Sequence, residues 1–226
     1  SSKNDLFLGT RDGKILHYNQ NLKEISNSGS KAVEELSVWP ERDIVFSDNV
    51  GFSYLNLKSG IENQHLLGSL KDVTYVDDTH FFAALNVGLY EFHYDDKTNQ
   101  LKEIACYIKG RMYNVEHEKT TNYIYASTFD GLKFLDNKRK LYSITLDNEV
   151  IHAISFWSTG DKTYISTRKK GVLVVKSGKI IDHFYPKHNN ELLVITKITV
   201  HNSTIYANTQ IGFVIMDKKG KIQHYL

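Results

Sequence analysis

The sequence is poor in the residues that build disulfide-linked and thiolate-metal modules. Its 226 residues contain a single cysteine, Cys106, so no disulfide can form within the chain and no cysteine cluster can hold a metal. This count fits a cytosolic or a periplasmic protein and argues against a disulfide-built extracellular module. The only two prolines are Pro40 and Pro186, so the turns must depend on Gly, Asn, Asp and Ser.

Long hydrophobic runs and an excess of one charge are also missing. No apolar stretch approaches the roughly 18 residues of a transmembrane helix, so we expect no direct membrane insertion of this segment. The 28 basic and 26 acidic residues nearly balance, which argues against nucleic acid as an obligate partner. The basic runs at 169–171 and 217–221 fall at predicted turns, where we interpret them as solvated loop charge.

Helical periodicity is absent as well, since no segment repeats its apolar residues every 3.6 positions. What the chain has instead is aromatic and β-branched runs, with 14 tyrosines and 11 phenylalanines. These residues favour strands. The composition, with 41% hydrophobic and 24% charged residues, is ordinary for a globular protein. We therefore predict an all-β fold with almost no helix.

One pattern occurs six times along the chain. Each copy has three or four strand-type residues, a small or hydroxyl residue, a short polar turn and a glycine, as in "IYASTFDG", where Asp130-Gly131 is a hairpin-turn signal. We expect each glycine to allow a positive φ or a close approach of the neighbouring blade in the turn into the third strand. The glycines lie 37 to 43 residues apart, at Gly13, Gly51, Gly88, Gly131, Gly171 and Gly212.

A further apolar run precedes most of these segments and two more follow, which gives four strands in about 40 residues. Repeated six times, this pattern is typical of a β-propeller. Runs such as "VLVV" and "FVIM" are apolar on both faces, as expected for a blade between two others, and favour a propeller over a β-sandwich or β-solenoid. We predict one propeller over residues 1–226, with about six four-stranded blades.

The first copy starts in the second strand of its blade, and the last copy ends in the fourth strand. A closed propeller usually joins its termini within one blade so that no edge stays open. We therefore expect either a six-bladed ring with an imperfect blade or a piece of a larger propeller. In the second case the remaining blades of a longer chain, or another copy, would pair with the open blade.

The units resemble the two-component regulator propeller repeat. The segments that follow it most closely are "LFLGTRDGKILHYN" (6–19), "IHAISFWSTGDKTYISTRKKGVLVVKSGK" (151–179) and "ITKITVHNSTIYANTQIGFVIMDKKGK" (195–221). The resemblance extends over nearly the whole chain, although the consensus Gly-Thr pair is intact only at Gly9-Thr10 and no unit keeps the consensus Trp. It implies the periplasmic sensor region of a hybrid histidine kinase of Bacteroidetes-type bacteria, often one that recognises glycan fragments.

Polar residues in the predicted turns are the candidate ligand contacts. Turns before each glycine and turns entering each inner strand lie on one face of a propeller, where a polar mouth suits a carbohydrate or another small ligand. Turns are also polar simply because they are solvated. The candidates are Arg11, Asp12, Asn49, Asn86, Arg111, Asp130, Arg168, Lys169, His188 and Gln210.

The inner strands carry a second set of candidates, which we expect to line the channel. These are Glu35, Asp72, Asn114 and Lys197, with Ala153 at the matching place in the fifth unit. Carboxylate and amide oxygens suit Ca²⁺, as in six-bladed lactonase-like propellers. The positive Lys197 and the apolar Ala153 interrupt such a ring, so we expect no metal and no cofactor.

No sequence feature indicates catalysis. Four of the ten histidines, among them His17 and His224, precede an aromatic residue in outer strands, which indicates packing or exposure at the rim. Neither a G-x-S-x-G elbow nor a phosphate loop is present. We expect a non-enzymatic sensor that binds a ligand. The alternatives are a metal-dependent lactonase-like or lyase-like enzyme and a scaffold that binds only protein.

Overall fold

The computed structural model describes residues 5–27, 32–39, 43–47 and 51–225. These residues form six antiparallel sheets in succession, each a meander whose neighbouring strands follow one another in the chain. The first sheet has three strands and the other five have four. No helix occurs in the described ranges, and so none that could cross a membrane. The predicted all-β architecture of four-stranded antiparallel sheets is confirmed.

The chain divides into two compact units, residues 1–111 and 112–226. The first unit contains three sheets. Sheet one has β1 (Leu6–Gly9), β2 (Lys14–Asn19) and β3 (Asn21–Asn27). Sheet two has β4 (Glu35–Trp39), β5 (Asp43–Ser47), β6 (Phe52–Asn56) and β7 (Glu62–His65). Sheet three has β8 (Leu70–Tyr75), β9 (His80–Leu85), β10 (Gly88–Asp95) and β11 (Gln100–Lys109).

The second unit contains sheets four to six and two short hairpins. Sheet four has β12 (Met112–Glu118), β13 (Tyr123–Thr128), β14 (Gly131–Leu135) and β15 (Leu141–Ser143), followed by the hairpin β16 (Thr145–Leu146) and β17 (Glu149–Val150). Sheet five has β18 (Ala153–Thr159), β19 (Lys162–Thr167), β20 (Val172–Lys176) and β21 (Lys179–Phe184), followed by the hairpin β22 (Lys187–His188) and β23 (Glu191–Leu192). Sheet six has β24 (Ile195–His201), β25 (Thr204–Thr209), β26 (Gly212–Asp217) and β27 (Ile222–Tyr225).

The middle sheet of each unit is apolar on both faces because it packs between two others. In β20, Val172 and Val174 belong to the core shared with sheet six, whereas Leu173 and Val175 belong to the core shared with sheet four. In β5, Ile44 contributes to the core with sheet one and Val45 to the core with sheet three. This alternation explains why "VLVV" does not alternate between apolar and polar residues.

The repeated glycine ends the turn rather than forming its centre. Thr128 pairs with Gly131, so the two turn residues are Phe129 and Asp130, one position earlier than the hairpin signal indicated. Gly131 and Gly171 have φ of 112° and 66°, values that glycine adopts without strain after such a turn. A threonine hydroxyl ties the turn, since Thr128 Oγ1 donates to the Gly131 carbonyl at 2.9 Å.

The close approach at these glycines differs from one to another. A Cβ on Gly131 would lie 2.5 Å from Val150 Cγ1 and 3.3 Å from the Ile151 carbonyl oxygen, in the segment that leads into sheet five, whereas Gly171 and Gly88 are approached by their own sheets. A Cβ on Gly171 would lie 2.3 Å from the carbonyl oxygen of Phe184 in β21, the fourth strand of the same sheet. A Cβ on Gly88 would lie 2.6 Å from the carbonyl oxygen of Ile108 in β11. In sheet one the position in register with Gly171 is Lys14, because Thr10 Oγ1 donates to the Lys14 carbonyl four residues on, as Thr167 Oγ1 donates to the Gly171 carbonyl. Gly13 precedes Lys14 and has φ of 85°.

Candidate functional site

A β-bulge recurs near the start of the inner strands and determines which side chains occupy equivalent positions. The pairing of β8, β12, β18 and β24 with the next strand skips one residue in each case, and β4 pairs without a skip. A bulge bends the strand and redirects the side chains on either side of it. The skipped residues are Lys71, Tyr113, Ile154 and Thr196.

The bulges correct the sequence alignment of the fifth unit. Asn114 pairs with Ser127, and the position equivalent to it in sheet five is Ser155, which pairs with Ser166. Ala153 lies two residues earlier, because β18 begins at Ala153 and not at Ile151 as the sequence indicated. Ser155 is 3% exposed and its Oγ accepts the Ile198 amide at 3.2 Å, so this position joins sheets five and six.

The second unit contains a pocket of about 570 Å³ between sheets four and five, at the turn end of their strands; we call it the Arg168 pocket. Two bulge residues, Tyr113 and Ile154, are part of its lining, so the bulges help to shape it. Its lining residues are Tyr113, Asn114, Ser127, Thr128, Phe129, His152, Ala153, Ile154 and Arg168.

Hydrogen bonds to backbone carbonyls hold the border of the Arg168 pocket in place. The Arg168 amide donates to the His152 carbonyl at 3.1 Å, which fixes the turn after β19 against the start of sheet five. From sheet four, Ser127 Oγ donates to the Ala153 carbonyl at 2.8 Å. The pocket is therefore bordered by backbone that both sheets keep in place, a preformed arrangement that suits ligand binding.

The lining of the Arg168 pocket combines hydrogen-bonding groups with aromatic surface. Arg168 supplies a guanidinium with several donors, Asn114 an amide that both donates and accepts, and His152 an imidazole. Tyr113 and the turn residue Phe129, which is 69% exposed, offer aromatic surface. The hydroxyls of Ser127 and Thr128 donate to the backbone carbonyls of Ala153 and Gly131.

Several predicted site residues border this pocket. Asn114 and Arg168 line it directly. Asp130 and Lys169 are exposed and follow the lining residues Phe129 and Arg168 in their turns. The adjacent Lys170 pairs with Glu149 of β17, and the hydrogen bond from this lysine lowers the pKa of the Glu149 carboxyl.

The other candidates of the second unit lie elsewhere. Gln210 fixes the segment before β24 to the β25–β26 turn. Its side-chain oxygen accepts a hydrogen bond from the Val194 amide at 2.8 Å, and its side-chain nitrogen donates to the Leu192 carbonyl at 3.2 Å. His188 is half-buried in the hairpin strand β22 and lines a different pocket. Lys197 is exposed.

The remaining candidates belong to the first unit. Arg11 and Asp12 are exposed in the β1–β2 turn, where Asp12 lies 3.7 Å from the Lys14 ammonium. Asp72 is half-buried and its Oδ1 accepts the Val73 amide at 3.0 Å. Asn86 and Arg111 are exposed, Glu35 is half-buried, and Asn49 lies outside the described residues. Within the described ranges no three His, Cys, Asp or Glu side chains are grouped as metal ligands.

Sequence reasoning missed Tyr113, Phe129 and His152. Phe129 could have been predicted, because a two-residue turn favours Gly, Asn, Asp or Ser and a large aromatic residue there does not stabilise the turn. Tyr113 could not have been, since nothing in a single sequence marks which residue of a strand is bulged out of register. The hairpins also had a signal: Asp147-Asn148 and Asn189-Asn190 both adopt positive φ, the geometry of a type I′ turn.

Comparison with known proteins identifies the fold. The designed protein Ika8 matches the whole chain at 12% identity over 72% of its own length, with a TM-score of 0.73. The β-propeller domain of Cps50 (Swd1) from Myceliophteria thermophila matches 98% of the chain at 13% identity and TM-score 0.71, over 82% of its own length. The fold is a β-propeller.

A third similar structure is the extracellular domain of BT4673 from B. thetaiotaomicron, a proposed hybrid two-component system. It matches 99% of this chain at 12% identity and TM-score 0.69, and the chain spans about a third of that domain, 32%. No family model and no curated protein sequence matches the chain. At these identities the likeness establishes the fold alone.

Proposed function

We propose that this propeller is a non-catalytic sensor domain of a two-component signalling protein, outside the cytoplasm, and that it binds a small glycan-derived ligand in the Arg168 pocket. The observation that carries the proposal is the pocket itself. It combines the Arg168 guanidinium, the Asn114 amide and the aromatic rings of Tyr113 and Phe129 on a backbone frame that two sheets keep in place. Amide and guanidinium donors beside aromatic faces suit sugar hydroxyls and ring faces.

The resemblance to BT4673 supports the signalling part of the proposal. The extracellular domain of that protein has the same fold at low identity, and the repeats of this chain resemble two-component regulator propeller units. The engagement of Ser127 and Thr128 with backbone carbonyls supports a binding role over acyl-transfer chemistry.

The test is a binding screen with neutral and acidic oligosaccharides, measured by isothermal titration calorimetry. Arg168→Ala and Asn114→Ala should each weaken binding about tenfold or more, because each removes hydrogen bonds to a ligand held inside a pocket. Arg11→Ala is the matched control. Arg11 follows Thr10 in sheet one as Arg168 follows Thr167 in sheet five, and the Arg168 pocket does not include it. An equal loss in the control, or none in either pocket variant, would refute the site.

The enzyme alternative has its own measurement. We expect no transition metal and no tightly held calcium, because the Lys197 ammonium occupies one of the inner-strand positions that a carboxylate ring would need. Elemental analysis of the purified protein checks this. If the protein holds one equivalent of metal and Asp72→Ala loses it, the metal-dependent lactonase-like enzyme becomes the better hypothesis.

A further inference from the structure

A second concave site in the second unit is strongly basic. Its volume is about 840 Å³, and its basic lining residues are Lys187, His188, Lys219, Lys221 and His224. No carboxylate lines it. Within the described part of the chain, no carboxylate lies within 4 Å of the three ammonium groups. We call this site the lysine pocket. The run 217–221, which the sequence indicated to be solvated loop charge, forms one of its sides.

The β26–β27 turn presents two of the lysines on a fixed backbone. Asp217 Oδ1 accepts the amides of Lys219 and Lys221 at 2.9 and 3.0 Å, and the Gly220 amide donates to the Asp217 carbonyl at 3.0 Å. The bond from the Lys221 amide lowers the pKa of Asp217. The Asp217 carboxylate is therefore held by the backbone amides of its own turn, and the lysines of this turn outnumber this one carboxylate.

The other side comes from a segment some thirty residues earlier. The hairpin strands β22 and β23 pair Lys187 with Leu192 and His188 with Glu191, and the Leu193 amide donates to the Pro186 carbonyl at 2.8 Å. Gly220 packs directly on this part of the chain, since a Cβ there would lie 2.5 Å from Phe184 Cδ2 at the end of β21. The β22–β23 hairpin and the β26–β27 turn thus place Lys187, Lys219 and Lys221 in the lining of one cavity.

We propose that the lysine pocket binds the phosphate or sulfate group of a small ligand. Three ammonium groups that share one concavity repel each other, and a multiply charged oxyanion relieves that repulsion while it accepts a hydrogen bond from each. Lysine ammonium groups act as compact point charges and suit such a group. The site is separate from the Arg168 pocket and does not depend on the function proposed for it.

The experiment is a titration of the full chain with inorganic sulfate, inorganic phosphate, a sugar sulfate ester and the matching sugar phosphate, followed by calorimetry at low ionic strength. Lys187→Gln and Lys221→Gln should each weaken binding about threefold, and the double variant about tenfold. Binding should also weaken as sodium chloride is added, because the lysines are exposed and screened by salt.

The control is Lys138→Gln in sheet four. Lys138 and Lys140 follow Asp136 as Lys219 and Lys221 follow Asp217, with the same amide bonds to the aspartate Oδ1, and the lysine pocket does not include them. This control should bind like the unmodified chain. A preference for the sulfate or for the phosphate ester identifies the source of the anion, and either supports the proposal. No binding of any of the four probes, or an equal loss in Lys138→Gln, overturns it.

Discussion

Single residues in the turns have roles that their type alone does not reveal. Gly60 and Gly171 both have positive φ, at 70° and 66°, yet only Gly171 is crowded. Nothing lies within 4 Å of a Cβ built on Gly60, whereas one on Gly171 meets the Phe184 carbonyl oxygen. Backbone conformation and close packing can therefore be separated by comparing the two positions.

We predict that Gly171→Ala lowers the free energy of unfolding by about 2–4 kcal/mol, because it adds a steric conflict to the strain of positive φ. Gly60→Ala should cost only the strain, about 1–2 kcal/mol. Urea unfolding followed by circular dichroism measures both. Equal losses in the two variants would show that the approach of β21 does not constrain this glycine.

Among the elements, burial falls from the second strand of a sheet to the fourth. All residues of β5 are buried, and in β13 and β19 all but the first are buried. The fourth strands differ: β7 alternates between exposed and half-buried residues, and β15 is exposed along its length. A fourth strand also has a hydrogen-bonded neighbour on one side only.

We predict that amide hydrogen exchange follows this order. The second strands β5, β13 and β19 should exchange slowest, and β7, β15 and the two-stranded hairpins fastest, since exposed backbone hydrogen bonds open locally at low free energy. Hydrogen exchange with mass spectrometry of peptic fragments resolves these segments. Similar protection of β13 and β15 would contradict the prediction.

Two tryptophans form equivalent contacts between neighbouring sheets. Trp157 Nε1 donates to the Val200 carbonyl of β24 at 3.0 Å, and Trp39 packs edge-on against Tyr75 of β8 with ring centroids 4.2 Å apart. Each tryptophan lies in the second half of the first strand of its sheet and contacts the first strand of the next sheet. His17 stacks on Phe7 as expected for packing, whereas His224 lines the lysine pocket.

At the scale of the molecule, one sheet face is apolar and open to solvent. Leu6 pairs with Tyr18, and Tyr18 with Leu22, so these side chains lie on one face of sheet one together with Leu8. Their exposed fractions are 51%, 45%, 60% and 41% for Leu6, Tyr18, Leu22 and Leu8. Contiguous exposed apolar surface of this kind marks an interaction site more often than a free surface.

We propose that the chain associates with a second copy through this face. Light scattering at several concentrations should show a mass that rises with concentration, and Leu22→Lys should reduce it, because the substitution places a charge within the apolar contact. Leu66→Lys is the control, since Leu66 is 69% exposed and lies outside sheet one. A monomer at every concentration would exclude the association.

The stability of the whole molecule should fall in acid. Burial acts in the opposite direction, but hydrogen bonds from Thr79 and His80 lower the pKa of Asp77 to about 2. The pKa of Asp136 is also lowered, chiefly by the Lys140 amide. A carboxylate with a lowered pKa in the folded state stabilises it above the unfolded pKa near 4, and this contribution is lost as the pH falls toward the folded value.

We therefore predict that the free energy of unfolding is nearly constant from pH 7 to 5 with respect to these groups and decreases between about pH 4 and 2. Burial lowers the pKa of His65, so its neutral form is favoured in the folded state. The free energy of unfolding therefore also decreases as the pH falls below the ordinary pKa of histidine. Urea unfolding at several pH values measures the trend. Asp77→Asn should reduce the decrease in the free energy of unfolding between about pH 4 and 2. An unchanged decrease would show that Asp77 does not contribute to it.

The all-β class, the repeat of about 40 residues and the positions of most strands could be predicted from the sequence. These follow from local signals, since strand-type runs, turn residues and glycines act over a few neighbouring positions. The inner-strand residues Asn114 and Lys197 lie in β12 and β24, the first strands of their sheets. Where a local signal was ambiguous, as at Asp130-Gly131, the error was one residue.

The packing of the sheets, which no local signal predicts, brings the pocket-lining side chains together. Asn114 and Arg168 meet because sheets four and five pack side by side, and Tyr113 joins them because a bulge redirects β12. Lys187 and Lys221 line the lysine pocket together although they lie 34 positions apart in the chain. Lys187 reaches the pocket from the β22–β23 hairpin, which was not predicted from the sequence. Register shifts and packing between sheets depend on the sum of many weak contacts, and no short stretch of sequence carries that information.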